Sequence, residues 1–400
     1  MVCVRIVSYS ILINRSPTAP FAAKKGVRQG DMSPYLFVLS MEYLTRLLKN
    51  LRTTPDFQYH LRCKKLNIIQ LSFADDLLLF CKGDKASTSR LYECFQVFSH
   101  ASGLIENQSK SSIYFGGVPE PIKQSIIQTL GFLIGKLPFK YLGVPLSSKK
   151  LTVAQCQPLL EKMLGRITSW TTKFLSYAGR LQLLRSVLIA VKYFWSQMLP
   201  LPKKILQKIE TVCRKFLWTG AAEAKNKALV AWDQLCWPRT AGGLNITDVH
   251  TWNKAAIVKQ LWNLSKKKDK LWVMWVHTYY IKGRAAWDVI TKQASWLIQK
   301  ILQAAKYLTE ANLDKVTILQ ADNYSIRDVY NQLRGDYPKV EWRRLICNNH
   351  GSPKWIFVLY LAIHCRMYTR DRLDKWGIQR SLLCPLCEVE KEDHQRIFFV

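Results

Sequence analysis

The spacing of apolar residues changes character between residues 145 and 170 of this chain. Before that point, short apolar runs are broken by Gly and Pro, the pattern of strands and helices alternating in small units. Ser33 and Pro34 precede YLFVLSMEYLTRLLKNL. A serine oxygen can cap the free amides there, and proline sits where its missing donor costs nothing, so a helix is predicted from this point. The segment IIQLSFADDLLLFCKG sets apolar arms on either side of Ala74, Asp75 and Asp76. It predicts two strands whose connection exposes both carboxylates, because burying two unpaired charges is prohibitive. A helix is predicted over 85–101, ending near Gly103, with a strand at 111–115, a helix at 120–130 and a short strand at 141–146. The first stretch, VCVRIVSYSILIN, predicts a half-buried strand.

Beyond the change, apolar residues recur every three and four positions over long stretches, which predicts a mostly helical region. Leu181, Leu184, Leu188, Val191 and Trp195 form one stripe, with Arg180, Arg185 and Lys192 off it and open to partners. Pro200 and Pro202 end that helix. The next begins near Lys203 and carries Lys204, Lys208, Arg214 and Lys215. All 14 tryptophans lie at or after Trp170, so the two regions are built differently, and the overall class is α+β followed by helices. Trp170, Trp195, Trp218, Trp232 and Trp237 are expected in cores or groove walls. Internal repeats and low-complexity tracts are not visible.

Charge narrows the function. Lys and Arg number 59 against 28 Asp and Glu, a net charge of +31, which favours a polyanionic partner, nucleic acid ahead of an anionic membrane surface. Further basic clusters at Lys225 and Lys227, at Lys266 to Lys268 with Lys270, and at Arg343 and Arg344 could line a duplex path. No apolar run approaches a membrane span. The 11 cysteines lack framework spacing, and with no convincing signal peptide the expectation is an intracellular protein of nucleus or cytoplasm, not secreted.

Adjacent carboxylates at a strand connection can hold magnesium or manganese, since hard oxygens suit those ions, and the metal could then bind a nucleotide triphosphate. The flanks sharpen this reading. LSFADDLLLF resembles the catalytic hairpin of reverse transcriptases. Upstream, GVRQGDMSPYLFVLSMEYLTRLL at 26–48 is similar to that family's template- and nucleotide-positioning segment. Downstream, SGLIENQSKSSIYFGG at 102–117 is similar to the segment with its palm lysine, and KYLGVPL to its primer-grip neighbourhood. GRLQLLRSVL, FLWTG, VAWDQLCWPRTAGGLNI and the terminal CPLC extend the resemblance to plant non-LTR retrotransposons of the LINE type.

The resemblance implies an RNA-directed DNA polymerase. Asp75 would be the direct metal ligand and Asp76 the supporting carboxylate, with Arg28, Gln29, Gly30 and Lys110 placing nucleotide or template. Magnesium or manganese is implied as cofactor, with an RNA template, a DNA primer and deoxynucleoside triphosphates as partners. Arg180, Arg185, Lys203, Lys204, Lys208, Arg214 and Lys215 would contact nucleic acid. Residues 1–150 would form a partial palm, 151–335 a helical thumb and connection, and 336–400 a zinc-binding-like segment. The family's other catalytic aspartate has no counterpart, since Asp31 and Asp84 fall at the wrong places, and GDMSP is one residue shorter than the family pattern. Fingers, endonuclease and ribonuclease H regions are also missing, so the chain reads as a fragment or decayed copy, inactive alone. Its alternative is a non-catalytic, basic nucleic-acid-binding protein of the same ancestry.

Cys384 and Cys387 have metal-ligand spacing and His394 follows, giving three zinc ligands where structural zinc wants four. His364 or a water would have to supply the fourth, although His364 reads more simply as a helix-face residue. The zinc site is therefore expected to be incomplete.

Overall fold

The computed structural model describes residues 8–22, 33–147, 149–170, 175–221, 228–266, 268–347, 351–378 and 381–399. The chain separates into two compact units, residues 1–137 and 138–400. The first is mixed α and β, the second mostly helical, which is the α+β-then-helical order expected from the sequence.

In the first unit, β1 (Ser8–Tyr9) pairs antiparallel with β4 (Phe21–Ala22), and β2 (Leu12–Ile13) with β3 (Ser16–Pro17). Of the half-buried strand expected over residues 2–14, residues 2–7 lie outside the described residues. The rest falls in these short, largely exposed ladders, with a tight turn at Asn14 and Arg15, both at positive φ. Helix α1 spans Ser33–Asn50. It buries Leu44 and Leu48 against Leu51, Phe57, Ile69, Leu91 and Phe98, the core of this unit. Truncating one such leucine to alanine costs about 2–5 kcal/mol. The predicted hairpin follows as β5 (Gln70–Phe73) and β6 (Asp76–Leu79).

Helix α2 (Lys85–Ser102) is capped by the Asp84 side chain and closed by Gly103 at φ +72, a left-handed conformation that glycine adopts without steric cost. Strand β7 (Ser112–Ile113) pairs parallel with β8 (Leu133–Ile134). The crossover between them is helix α3 (Glu120–Leu130), since parallel neighbours cannot be joined by a tight turn.

The second unit opens with a hairpin, β9 (Phe139–Tyr141) and β10 (Val144–Leu146). Residues 141–146 were expected as one strand, but Leu142 and Gly143 both take positive φ and turn the chain back. The helices that follow are α4 (Gln157–Thr168), α5 (Tyr177–Leu183), a π-helical turn at Leu184–Leu188, α6 (Ile189–Met198), α7 (Lys203–Thr219) and α8 (Trp232–Cys236). The predicted stripe holds at Leu181, Leu184, Leu188 and Trp195, all buried, whereas the Val191 side chain lies outside the described residues. Trp195, Trp218 and Trp232 are buried and Trp170 and Trp237 half-buried, in keeping with a packing role.

Helix α9 (Val249–Lys266) is the hub of this unit. It packs against α6 and α7, and against α11 (Trp296–Leu302), α12 (Ala305–Glu310), α13 (Lys315–Gln320) and α14 (Ile326–Arg334), with α10 (Leu271–Val276) beside it. A hub helix is apolar nearly all round, and where it carries a buried polar group, Asn253, Oδ1 accepts from the Leu201 N–H at 3.2 Å. The unit closes with α15 (Arg343–Ile346), α16 (Pro353–Ile363), α17 (Arg370–Lys375) and α18 (His394–Phe399). No described helix is long and apolar enough to cross a membrane.

Candidate functional site

The carboxylate pair sits where a two-residue connection puts it. In the β5–β6 ladder Gln70 opposes Leu79, Leu71 opposes Leu78, Ser72 opposes Leu77 and Phe73 opposes Asp76, leaving Ala74 and Asp75 as the turn. Ala74 supplies the reversal at φ +48. Side chains alternate along a strand, so Leu77 and Leu79 share a face, and both pack onto the unit's core. Asp75 and Asp76 remain exposed at the tip. The base of the hairpin is fixed on two sides. Phe80 N–H donates to the Ile69 carbonyl at 2.7 Å. The Gln70 side-chain amide donates to the Thr45 hydroxyl of α1, which itself donates to the Met41 carbonyl at 2.8 Å. Two exposed carboxylates on a rigidly anchored turn are suited to a hard divalent cation shared with phosphate oxygens.

Asp84, considered in sequence as a nearby acid, does something else. Its Oδ1 accepts the Ser87 N–H at 2.8 Å and caps α2. Among the described residues no group of three His, Cys, Asp or Glu side chains is arranged to hold a metal ion. Lys110 is exposed in a turn in which its backbone N–H donates to the Asn107 carbonyl at 3.0 Å. Arg28, Gln29, Gly30 and Asp31 lie outside the described residues.

The basic residues of the helical unit divide into two kinds. Lys203, Lys204 and Lys208 project into solvent from α7, whose opposite face buries Ile205, Leu206, Ile209, Cys213 and Phe216; Arg214 and Lys215 are half-buried farther along. Arg180 and Arg185, expected to be open to partners, are instead turned inward. The Arg180 guanidinium lies 5.3 Å from the Tyr177 ring centroid, and its Nη1 donates to the Leu217 carbonyl at 3.4 Å. Gly220 makes room for it, since a Cβ there would stand 3.1 Å from the guanidinium. Arg185 Nη2 donates to the Leu244 carbonyl, and burial, with Arg239 nearby, brings its pKa down to about 10. Both arginines serve packing because neighbouring helices close over the positions that their own helix leaves uncovered.

At the C-terminal end, Leu383 and Lys391 form an antiparallel bridge around the Cys384–Cys387 turn. Cys384 N–H donates to the Glu390 carbonyl at 2.6 Å, and Glu388 N–H to the Cys384 carbonyl at 2.8 Å. The N–H of Val389 faces the Cys387 sulfur and, with the Cys384 thiol and Arg396, holds this exposed thiol below its ordinary range. Such amide-to-sulfur bonding favours thiolate, the form that binds zinc. His394 is buried at the start of α18 and does not join the two cysteines in a three-ligand cluster. His364 is committed elsewhere, with Nε2 donating to the Gly242 carbonyl at 3.2 Å beside the Trp342 and Tyr360 rings.

Two stretches of the chain match models of known families. Residues 3–146 match the family model of reverse transcriptase (RNA-dependent DNA polymerase), and residues 324–400 match that of zinc-binding in reverse transcriptase. Over 157 residues, 39% of this chain, it is 32% identical to an Arabidopsis thaliana protein named as a ribonuclease H protein. Over 215 residues, 52% of this chain, it is 30% identical to the transposon TX1 uncharacterized 149 kDa protein of Xenopus laevis. The matches span 24% and 16% of the lengths of these two relatives.

Proposed function

We propose that this chain is a segment of the reverse transcriptase of a plant LINE-type retrotransposon, catalytically incomplete by itself. The observation that carries the reading is the pair Asp75 and Asp76, exposed on a two-residue turn whose arms are anchored to the core and to α1, within the stretch that resembles reverse transcriptases. Residues 1–150 would act as palm, 151–335 as thumb and connection, and 336–400 as the zinc-binding-like segment.

The donor set fits magnesium or manganese, which are bound by one or two carboxylates plus substrate phosphates. Asp75 would be the direct ligand and Asp76 the supporting one. When bound, the metal supplies charge neutralisation for a triphosphate. The chain's own contribution is to hold both carboxylates at one place. Arg28, Gln29, Gly30 and Lys110 would position nucleotide or template, and the exposed lysines of α7 would hold the RNA template and DNA primer by their phosphates. Asp84 is engaged as a helix cap and so is not available as a further ligand, while Asp31 lies outside the described residues. Zinc would be held by Cys384 and Cys387, with His394 needing to move to complete three ligands. The setting is intracellular, in nucleus or cytoplasm, with no membrane partner.

A second reading, a non-catalytic nucleic-acid-binding protein, is favoured by the exposed Lys203, Lys204 and Lys208. Anisotropy of a primed RNA template with and without manganese separates the two. Binding strengthened by manganese in the chain but not in an Asp75→Asn, Asp76→Asn variant supports the first reading, and binding indifferent to the metal in both proteins supports the second. Primer extension on the same template with magnesium or manganese tests the incompleteness. Duplex binding without extension is expected from the chain and from an Asp75→Asn, Asp76→Asn variant alike. Extension by the parent chain alone would show that it is complete as it stands.

A further inference from the structure

The loop that follows α10 closes a basic cleft against the end of α9. After the π-helical turn His277–Ile281, Lys282 and Gly283 both take positive φ, and this sharp reversal carries Arg284 and Trp287 back towards the C-terminal end of α9. The resulting cleft has a volume of about 410 Å³, within the range of small-ligand sites. Lys266, Lys268 and Arg284 line it, with His277, Gly283 and Trp287, and no carboxylate is among its lining residues. Lys266 Nζ is steadied at the rim by Asp322 at 3.1 Å, on a carboxylate that is 96% exposed. Lys268 and Arg284 are exposed. His277 Nε2 lies 2.7 Å from the Leu264 carbonyl. A carbonyl only accepts, so Nε2 carries the proton and Nδ1 is the ring's acceptor when neutral. Trp287 is packed on the core along one side, which fixes the indole as a wall.

Three cations beside a fixed aromatic wall is an arrangement suited to one nucleotide, with cations for the phosphate and a π-face for the base. A duplex presents its phosphates along a convex surface, whereas a cleft of this size suits a base that has left the stack. We propose that this cleft binds a single nucleotide unit of single-stranded nucleic acid, with its phosphate at Lys266, Lys268 and Arg284 and its base against Trp287. The inference rests on the preceding reading that the chain handles nucleic acid, and it adds a single-strand subsite far in sequence from Asp75 and Asp76.

The test is photocrosslinking of a short 5-iodouridine-bearing single strand to the full chain, with binding measured across salt concentrations. Crosslinks are expected on the peptide carrying Trp287. A Lys268→Gln, Arg284→Gln variant should lose them, and the slope of log affinity against log salt should fall by about 0.7, the loss of one neutralised phosphate. An Arg284→Lys, Lys268→Arg variant, which keeps both charges, should retain the crosslink. A nucleoside monophosphate should compete better than inorganic phosphate, and duplex should compete worse than single strand. Equal competition by inorganic phosphate would reduce the cleft to a general anion site and overturn the nucleotide assignment. If the parent binds single strands and the double Gln variant binds them identically, or if the parent binds primed duplex but no single strand, the cleft inference fails while the nucleic-acid reading stands; if the parent binds neither, both fail.

Discussion

Asp84 Oδ1 and the backbone N–H of Ser87 are 2.8 Å apart, and this bond assigns the acid that follows the hairpin to α2 rather than to Asp75 and Asp76. Ser87 in turn is fully buried and its hydroxyl accepts the Gln58 N–H at 2.9 Å, so the cap also ties down the segment before the hairpin. Asp84→Ala is therefore expected to destabilise the first unit by about 1 kcal/mol, while Asp84→Asn, a competent cap, changes it little. Urea unfolding monitored by a probe in residues 33–102 checks this. Weaker manganese binding by the Asn variant, at unchanged stability, would instead make Asp84 a ligand.

The exposed carboxylates at the hairpin tip repel a polyanion unless a cation lies between them. Without divalent metal, the Asp75→Asn, Asp76→Asn variant should bind primed RNA more tightly than the parent. Manganese should close that gap by strengthening the parent alone. Fluorescence anisotropy with and without the metal reads both effects, and a metal response that is the same in both proteins would remove Asp75 and Asp76 from the cation site.

How far the sequence reveals the fold depends on how local the cause is. The hairpin was legible because apolar arms on either side of two adjacent acids leave a single favourable placement, acids at the tip. The end of α2 was legible from Gly103, whereas the cap supplied by Asp84 at its start emerges only from the structure. The β9–β10 turn was not, because Leu142 at φ +51 is a conformation that leucine rarely adopts. Arg180 and Arg185 were misplaced because a helix's own stripe shows which face it buries first, but not that Leu217 and Leu244, dozens of residues later, would supply carbonyl acceptors. The basic cleft was half visible. Lys266 and Lys268 stand out as a charge run, whereas Arg284 and Trp287 join them only through the reversal at Lys282 and Gly283.

The two kinds of basic residue in the helical unit should respond oppositely to mutation. Arg185→Ala strips the Leu244 carbonyl of its donor and is expected to cost about 1–3 kcal/mol of stability. Lys204→Gln with Lys208→Gln should leave unfolding unchanged and reduce the salt dependence of nucleic-acid binding. Thermal unfolding and a salt titration on the same preparations check the pair. Loss of stability in the lysine variant would place those side chains in packing instead.

Alkaline pH should weaken the first unit through Cys81. Burial, reinforced by Asp84, pushes this thiol from 9.0 up to about 12. The folded state keeps its proton while the unfolded state loses it, so the stabilisation is complete below pH 9.0 and disappears as the pH rises towards about 12. Cys81→Ala should flatten that decline, as read by the urea midpoint on either side of pH 9.0. An unchanged slope would move the effect to another buried group.

The same contrast among thiols predicts where the chain reacts first. Cys387 is exposed and held below the ordinary thiol range, chiefly by the Val389 N–H, whereas burial raises Cys156 to about 11. Rate of alkylation follows the thiolate fraction and access together. Near neutral pH, iodoacetamide should label Cys387 well before Cys81 or Cys156, as peptide mass spectrometry over time would show. Zinc added beforehand should protect Cys387 and Cys384 together, because two thiolates of one turn bind the ion as a pair. In a Cys384→Ser variant the protection at Cys387 should largely vanish. Protection that survives this substitution would mean that zinc holds Cys387 through a partner other than Cys384.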